Sequence, residues 1–278
     1  MTGEIRIDAL LPKEMADKAV SIGVSKANMK FGKLFVLSIL AGAFIGLGAM
    51  FATIVSTGSS ALPFGVAKLL TGLSFCLGLI LVVIAGSELF TGNNMIVMAW
   101  AEKKVSTMAL LRNWLIVYLG NFVGSIGTAI IVFLTKQYMF SNGAVGEVAL
   151  KIAAGKTSLG FVQAIALGIL CNALVCLAVW MTYSARSSVD KIMAIVFPIT
   201  AFVAAGFEHS VANMYFIPFG LLVKIFDPAF VATLSVDVTQ LTWLTFITKN
   251  LLPVTIGNII GGAGLVALVY WFIYLEKN

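Results

Sequence analysis

Gly206-Phe207-Glu208-His209-Ser210-Val211-Ala212-Asn213-Met214 is the stretch on which the reading of this 278-residue chain turns. It holds the chain's single histidine, preceded by an acidic residue, inside an apolar run too long for one straight membrane crossing. A carboxylate, a titratable ring and a glycine are costly at bilayer depth, and residues of this kind mark functional positions there.

The chain around it has a membrane protein's composition. It is 60% hydrophobic and 11% charged, where a soluble domain carries about 25% charged residues. With apolar runs of twenty or more residues, this predicts an all-α membrane protein; the alternating pattern of an outer-membrane barrel is absent. The first thirty residues are polar and lack a signal peptide's apolar core. The formal charge of +6 fits basic loops at one membrane face better than a nucleic-acid partner. Cys76, Cys171 and Cys176 lie in apolar segments, so buried thiols are expected rather than disulfides. One histidine and buried cysteines make no metal site, and no cofactor is expected.

Residues 1–33 read as an N-terminal arm. Leu11, Met15, Ala19 and Ile22 recur at helical spacing, with Lys13, Lys18 and Lys26 elsewhere on the wheel. This suits an amphipathic helix on the membrane surface; a solvated arm is the alternative. The channel domain is expected at 34–278, with apolar segments near 34–57, 69–100, 113–135, 158–183, 192–223 and 250–275. The second and fifth, at about 32 residues, would make helices about 48 Å long against a ~30 Å hydrocarbon core. Each has a polar centre, so both are expected to be broken helices. Twelve Lys/Arg on the side of the termini against six on the other put both termini in the cytoplasm. Trp100, Trp114, Tyr138, Trp180, Tyr183 and Tyr274 fall at span ends, as an aromatic belt would.

The halves echo each other. Glu88 precedes Asn93 by five residues, as Glu208 precedes Asn213; Gly120-Asn121-Phe122-Val123-Gly124-Ser125-Ile126-Gly127 and Gly257-Asn258-Ile259-Ile260-Gly261-Gly262-Ala263-Gly264 share G-N-x-x-G-x-x-G. Six spans in two such sets of three imply inverted repeats. The glycines, with Gly42 and Gly46, read as close-packing faces.

At the breaks, Glu88 and Glu208 are expected to hold the irregular turn in shape by accepting its N–H groups, with Gly92, Asn93, Gly206 and Asn213 as further structural residues. Thr91 suits an N-cap for the half-helix beginning near Gly92. The second half-helices point positive ends inward, towards a small anion. His209 is read as functional, either lending a proton or attracting charge. Taking a bare anion through a dry constriction costs several kcal/mol; protonating a carboxylate of pKa about 3.7 at pH 7 costs about 4–5 kcal/mol. A proton-lending histidine makes neutral passage competitive. An intramembrane hydrolase using Ser210 with His209 lacks an aspartate and has neighbouring residues for nucleophile and base. A water pore lacks the paired Asn-Pro-Ala boxes.

The motifs Gly86-Ser87-Glu88-Leu89-Phe90-Thr91-Gly92-Asn93, Cys171-Asn172-Ala173-Leu174-Val175-Cys176-Leu177-Ala178-Val179-Trp180, Phe207-Glu208-His209-Ser210-Val211-Ala212-Asn213-Met214 and Pro253-Val254-Thr255-Ile256-Gly257-Asn258 resemble the formate/nitrite transporter family. The resemblance implies an aquaporin-like protomer in a homopentamer of the bacterial inner membrane, passing formate or a similar small anion in either direction under pH control. It implies that Phe75, Leu79 and Phe202 form an outer constriction and Leu89, Phe90 and Val175 an inner one. It also implies that His209 is the central histidine, with Thr91 and Asn172 as polar neighbours; Glu208, from its own position beside that histidine, has contact with substrate as the alternative to its structural role. Lys156 matches an anion-attracting residue of the outer vestibule, and the N-terminal arm one linked to gating. Nitrite and hydrosulfide remain alternative substrates, since the Ser87–Asn93 stretch also resembles the nitrite branch.

Overall fold

The computed structural model describes residues 9–276. Among them there is no strand: α1 (Pro12–Ala27), α2 (Phe31–Ser56) and α3 (Phe64–Gly86) lead to a non-helical turn. A short helix α4 follows, made of Gly92–Ile96 and Val97–Ala101. Then come α5 (Thr107–Leu134), α6 (Ala144–Thr157), α7 (Phe161–Ser184), α8 (Ser188–Ala204), α9 (Ser210–Phe226), α10 (Pro228–Ala232) and α11 (Trp243–Tyr274). Five of these, α2, α3, α5, α7 and α11, are long and apolar enough to cross a membrane. The fifth apolar segment of the sequence is divided into two 17-residue helices, α8 and α9.

Both helix interruptions begin at a glycine with positive φ, Gly86 at 80° and Gly206 at 73°. Nothing lies within 4 Å of a Cβ built at either position, so the backbone conformation, not crowding, requires glycine. The chain then runs non-helically into α4 and α9.

The two halves correspond element by element. α2 packs on α5 as α7 packs on α11, with glycine at the crossings. A Cβ on Gly124 would run into the Ile39 carbonyl, and one on Gly261 into the Ile169 carbonyl. Small residues allow such backbone-to-backbone approach, which gives helices in lipid their dispersion contacts.

α1 and α6 are also counterparts. α6 is an element that a search for apolar spans passes over, because its 14 residues mix Glu147, Lys151 and Lys156 with alanine and glycine. α1 buries Met15, Ala16, Ala19, Val20 and Gly23 in a cluster with Met95–Ala99, Trp180 and Tyr183. Lys18 Nζ donates to the Tyr183 carbonyl (2.7 Å) and Ser184 Oγ to that of Leu10 (2.9 Å). The expected aromatic belt is corrected at three of its six positions. Trp180 and Tyr183 are buried beneath α1, and Tyr138 is buried against Phe133 and Phe230 with its hydroxyl on Asp227 (2.8 Å). Their ring contacts lie within the protein.

Candidate functional site

An interrupted helix leaves backbone donors and acceptors that a low-dielectric interior penalises unless side chains take them up. In the first half Asn121 does so. Its Oδ1 accepts from Phe90 N (2.9 Å), and its Nδ2 donates to the Ser38 and Glu88 carbonyls (2.7 and 2.9 Å). In the second half Asn258 Oδ1 accepts from Ser210 N (2.9 Å), and its Nδ2 donates to Gly168 and Glu208 carbonyls (2.9 and 3.0 Å). The asparagine of each G-N-x-x-G-x-x-G motif thus ties the non-helical turn to α5 or α11.

Around each turn stands a second set. Lys26 Nζ meets Glu88 Oε1 at 2.7 Å; Asn93 Nδ2 donates to Glu88 Oε2 (2.7 Å) and Asn113 Oδ1 (3.0 Å). Lys156 Nζ meets Glu208 Oε1 at 2.7 Å, and Asn213 Nδ2 donates to Glu208 Oε2 (2.6 Å) and Asn250 Oδ1 (2.7 Å). The amides Asn113 and Asn250 close each ring by donating to the Lys26 and Lys156 carbonyls, both at 3.0 Å. The expectation for the two glutamates is corrected in its partners. Their carboxylates accept from lysine and asparagine side chains, because burying a carboxylate demands an opposite charge with its remaining lone pairs filled.

Between these frames, His209 and Thr91 meet. Thr91 Oγ1 lies 3.0 Å from His209 Nε2, while His209 Nδ1 accepts from Ala212 N (3.1 Å). A ring nitrogen that accepts from an amide carries no proton, so the neutral imidazole has its hydrogen on Nε2, directed to Thr91. The N-cap assignment is therefore reversed: Thr91 has helical φ,ψ and makes no cap bond, whereas His209 caps α9. The positive end of α9 is also less open than expected, since the amides of Ser210 and Ala212 are already taken. Asn172 Nδ2 donates to the Asn258 carbonyl (2.7 Å) and to Asn94 Oδ1 (3.2 Å), and is 3.4 Å from the Thr91 carbonyl. It steadies the turn bearing Thr91 from α7.

A cavity of about 620 Å³ reaches this point from the α6 side, lined by Phe75, Phe202, Lys156, Glu208, His209 and Asn213 among others. The Phe75 and Phe202 rings meet edge-on at 5.6 Å, and Phe202 stacks on His209 at 6.0 Å. Leu79, Leu89 and Val175 are buried in the surrounding core, and Phe90 packs edge-on to Trp114 and Tyr118; none of these four lines the cavity. The equivalent place below Lys26, lined by α1, holds a void of only about 10 Å³. Lys26, Asn113 and Asn250 had no signal in the sequence beyond being polar; the pseudo-symmetry relating 113 to 250 is what could have found the last two.

The formate/nitrite transporter family model matches residues 13–272. The chain belongs to the formate/nitrite transporter family. It is 46% identical over 282 aligned positions to the formate channel FocA of Escherichia coli strain K12, covering 100% of this chain and 99% of that one. To formate channel FocA of Haemophilus influenzae it is 44% identical over 259 positions, 92% of this chain and 91% of that one. Among solved structures, a pentameric formate channel with formate bound superposes with a TM-score of 0.83 at 48% identity, over 88% of this chain and 98% of that one. A second, an FNT family ion channel, gives 0.79 at 30%, over 94% and 98%. The protein is thus a membrane protein of a transporter family whose characterised relatives are channels and transporters.

Proposed function

We propose that the protein is a formate channel, passing this small monovalent anion in both directions with a pH-dependent rate. Its path would run from the 620 Å³ cavity past Phe75 and Phe202, across His209 and Thr91, and out between Leu89, Phe90 and Val175 towards α1. Asn172, Glu208 and Lys156 would border it. The chain would cross the bacterial cytoplasmic membrane six times, α8 and α9 forming one crossing broken at mid-membrane, with both termini in the cytoplasm. It would assemble as a homopentamer like the relative it superposes on.

The observation that carries this reading is the buried Nε2···Oγ1 bond of 3.0 Å that joins the two non-helical turns at the cavity floor. A donor held in a dry, aromatic-walled neck supplies what a carboxylate loses with its water shell. The imidazole would serve by lending a proton or by electrostatic attraction. The frames hold their charges in pairs, Lys26 with Glu88 and Lys156 with Glu208, which keeps the glutamates from repelling an anion.

Flux into proteoliposomes across pH 5 to 8, with formate and nitrite in competition, tests the proposal. Wild-type protein is expected to carry formate with a pH-dependent rate, and His209→Phe to lose most of it. Undiminished, pH-independent anion flux in that variant would rule out both histidine roles. Nitrite outcompeting formate would move the assignment to the other substrate.

A further inference from the structure

The α6-side cavity is lined by three lysines, Lys68, Lys151 and Lys156, and by one acidic residue, Glu208. Two of the three positive charges are matched. Lys156 is 2.7 Å from Glu208 with only 16% of its side chain exposed, and Lys151 is 2.6 Å from Glu147. At any distance beyond the pair itself each reads as a dipole, whose field dies away faster than a charge's. Lys68 makes no ion pair among those found in the described residues. Its ammonium lies over the Phe64 ring at 5.5 Å, a contact that holds a cation without neutralising it.

The position of Lys68 is set by α3. Phe64, Ala67, Lys68, Thr71 and Phe75 all line the cavity, a stripe at helical spacing that descends from the mouth to the aromatic neck. Thr71 Oγ1 is turned back to the Ala67 carbonyl at 2.8 Å, so along this stripe the charge enters at Lys68 alone.

We infer that Lys68 is the residue that gathers anions into this cavity, a task the resemblance would give to Lys156. Lys156 is instead a structural partner of Glu208, whose paired charge holds the turn before His209. The inference rests on the anion-channel reading, and it concerns capture rather than passage. Lys68 stands about two helical turns before Phe75 on α3, whereas Thr91 and His209 are buried, so it alters how often an anion arrives, and leaves the rate of crossing once the cavity is filled.

A single charge acting across about 10 Å of water changes local anion concentration roughly twofold, and salt at 0.1 M screens over that same ~10 Å. Formate uptake in oriented vesicles, with the cavity face outward, is therefore measured against concentration at about 10 mM and 500 mM ionic strength. Lys68→Gln is expected to raise the half-saturating concentration about twofold at low salt and Lys68→Glu about fourfold. Lys68→Arg should match wild type, saturating flux should be unchanged, and the curves should merge at high salt. Entry from the opposite face should be unaffected. Identical curves for Gln and wild-type protein, or a change that persists at high salt or from both faces, would overturn the inference while leaving the channel reading intact. A wild-type protein that carries no anion at all would overturn both. Wild-type uptake insensitive to ionic strength refutes Lys68 capture even if a variant fails to fold.

Discussion

Replacing Asn258 with alanine puts the load-carrying role of the paired asparagines to a quantitative test. The change leaves the amide of Ser210 and the carbonyls of Gly168 and Glu208 without the partners they hold at 2.9, 2.9 and 3.0 Å. The Gly168 carbonyl lies inside α7 and keeps its helical bond, so two buried groups are orphaned at about 1–3 kcal/mol each; the sum is ~2–6 kcal/mol, a large share of a typical domain's ~5–15 kcal/mol. Asn121→Ala removes the same three kinds of bond in the other half, and the two losses should agree within ~1 kcal/mol. Asn28, exposed and bonded once to the Val24 carbonyl at 3.0 Å, provides the control: Asn28→Ala should stay within ~0.5 kcal/mol. Thermal unfolding in detergent, followed by tryptophan fluorescence and size-exclusion chromatography, gives the ranking. The expected result is loss of monodisperse protein for both buried variants and none for the control. If Asn258→Ala unfolds within ~1 kcal/mol of wild type, the broken turns are held by something other than these amides.

Two further outcomes are expected. Thr91→Val keeps the volume but strips the hydroxyl that meets His209 Nε2; it should lower stability by ~1–3 kcal/mol and flatten the pH profile of formate flux, and an unchanged profile would take Thr91 off the path. Gly124→Ala drives a Cβ into the Ile39 carbonyl, whereas Gly127 faces open space; unfolding midpoints should fall for the first by the upper part of the ~1–3 kcal/mol overpacking range or more and stay put for the second, and equal midpoints would show that α2 and α5 have room to separate.

Much of this architecture was legible in the amino-acid sequence because repetition is visible without coordinates. The five-residue spacing from Glu88 to Asn93 recurs from Glu208 to Asn213, and G-N-x-x-G-x-x-G appears twice. Excess apolar length located the interrupted segments, and Gly206 turns where it was expected to; in the first half the turn is made by Gly86, and Gly92 lies inside the short helix that follows. What stayed hidden has a common physical origin. Lys26 reaches Glu88 across 62 residues and Lys156 reaches Glu208 across 52, and no local pattern announces a partner that far away. Asn113 and Asn250 looked like single polar residues in or beside apolar segments. α6 is too short and mixed to register as a span, and its role is evident only when it is seen to match α1. The N-cap was misassigned because threonine is the better capping residue by type, and only geometry reveals that histidine occupies the capping position.

The pseudo-symmetry is incomplete in an instructive way. Positions 88 and 208, 93 and 213, 113 and 250, 121 and 258 carry the same residue in both halves, all of them in the supporting frame. The three positions that follow each glutamate do not match: Leu89 corresponds to His209, Phe90 to Ser210 and Thr91 to Val211. The supporting frame is therefore shared by both halves, while the turns it holds are spelled differently in each. A lineage, or an engineer, is free to rewrite the turns while the frame keeps the protein standing.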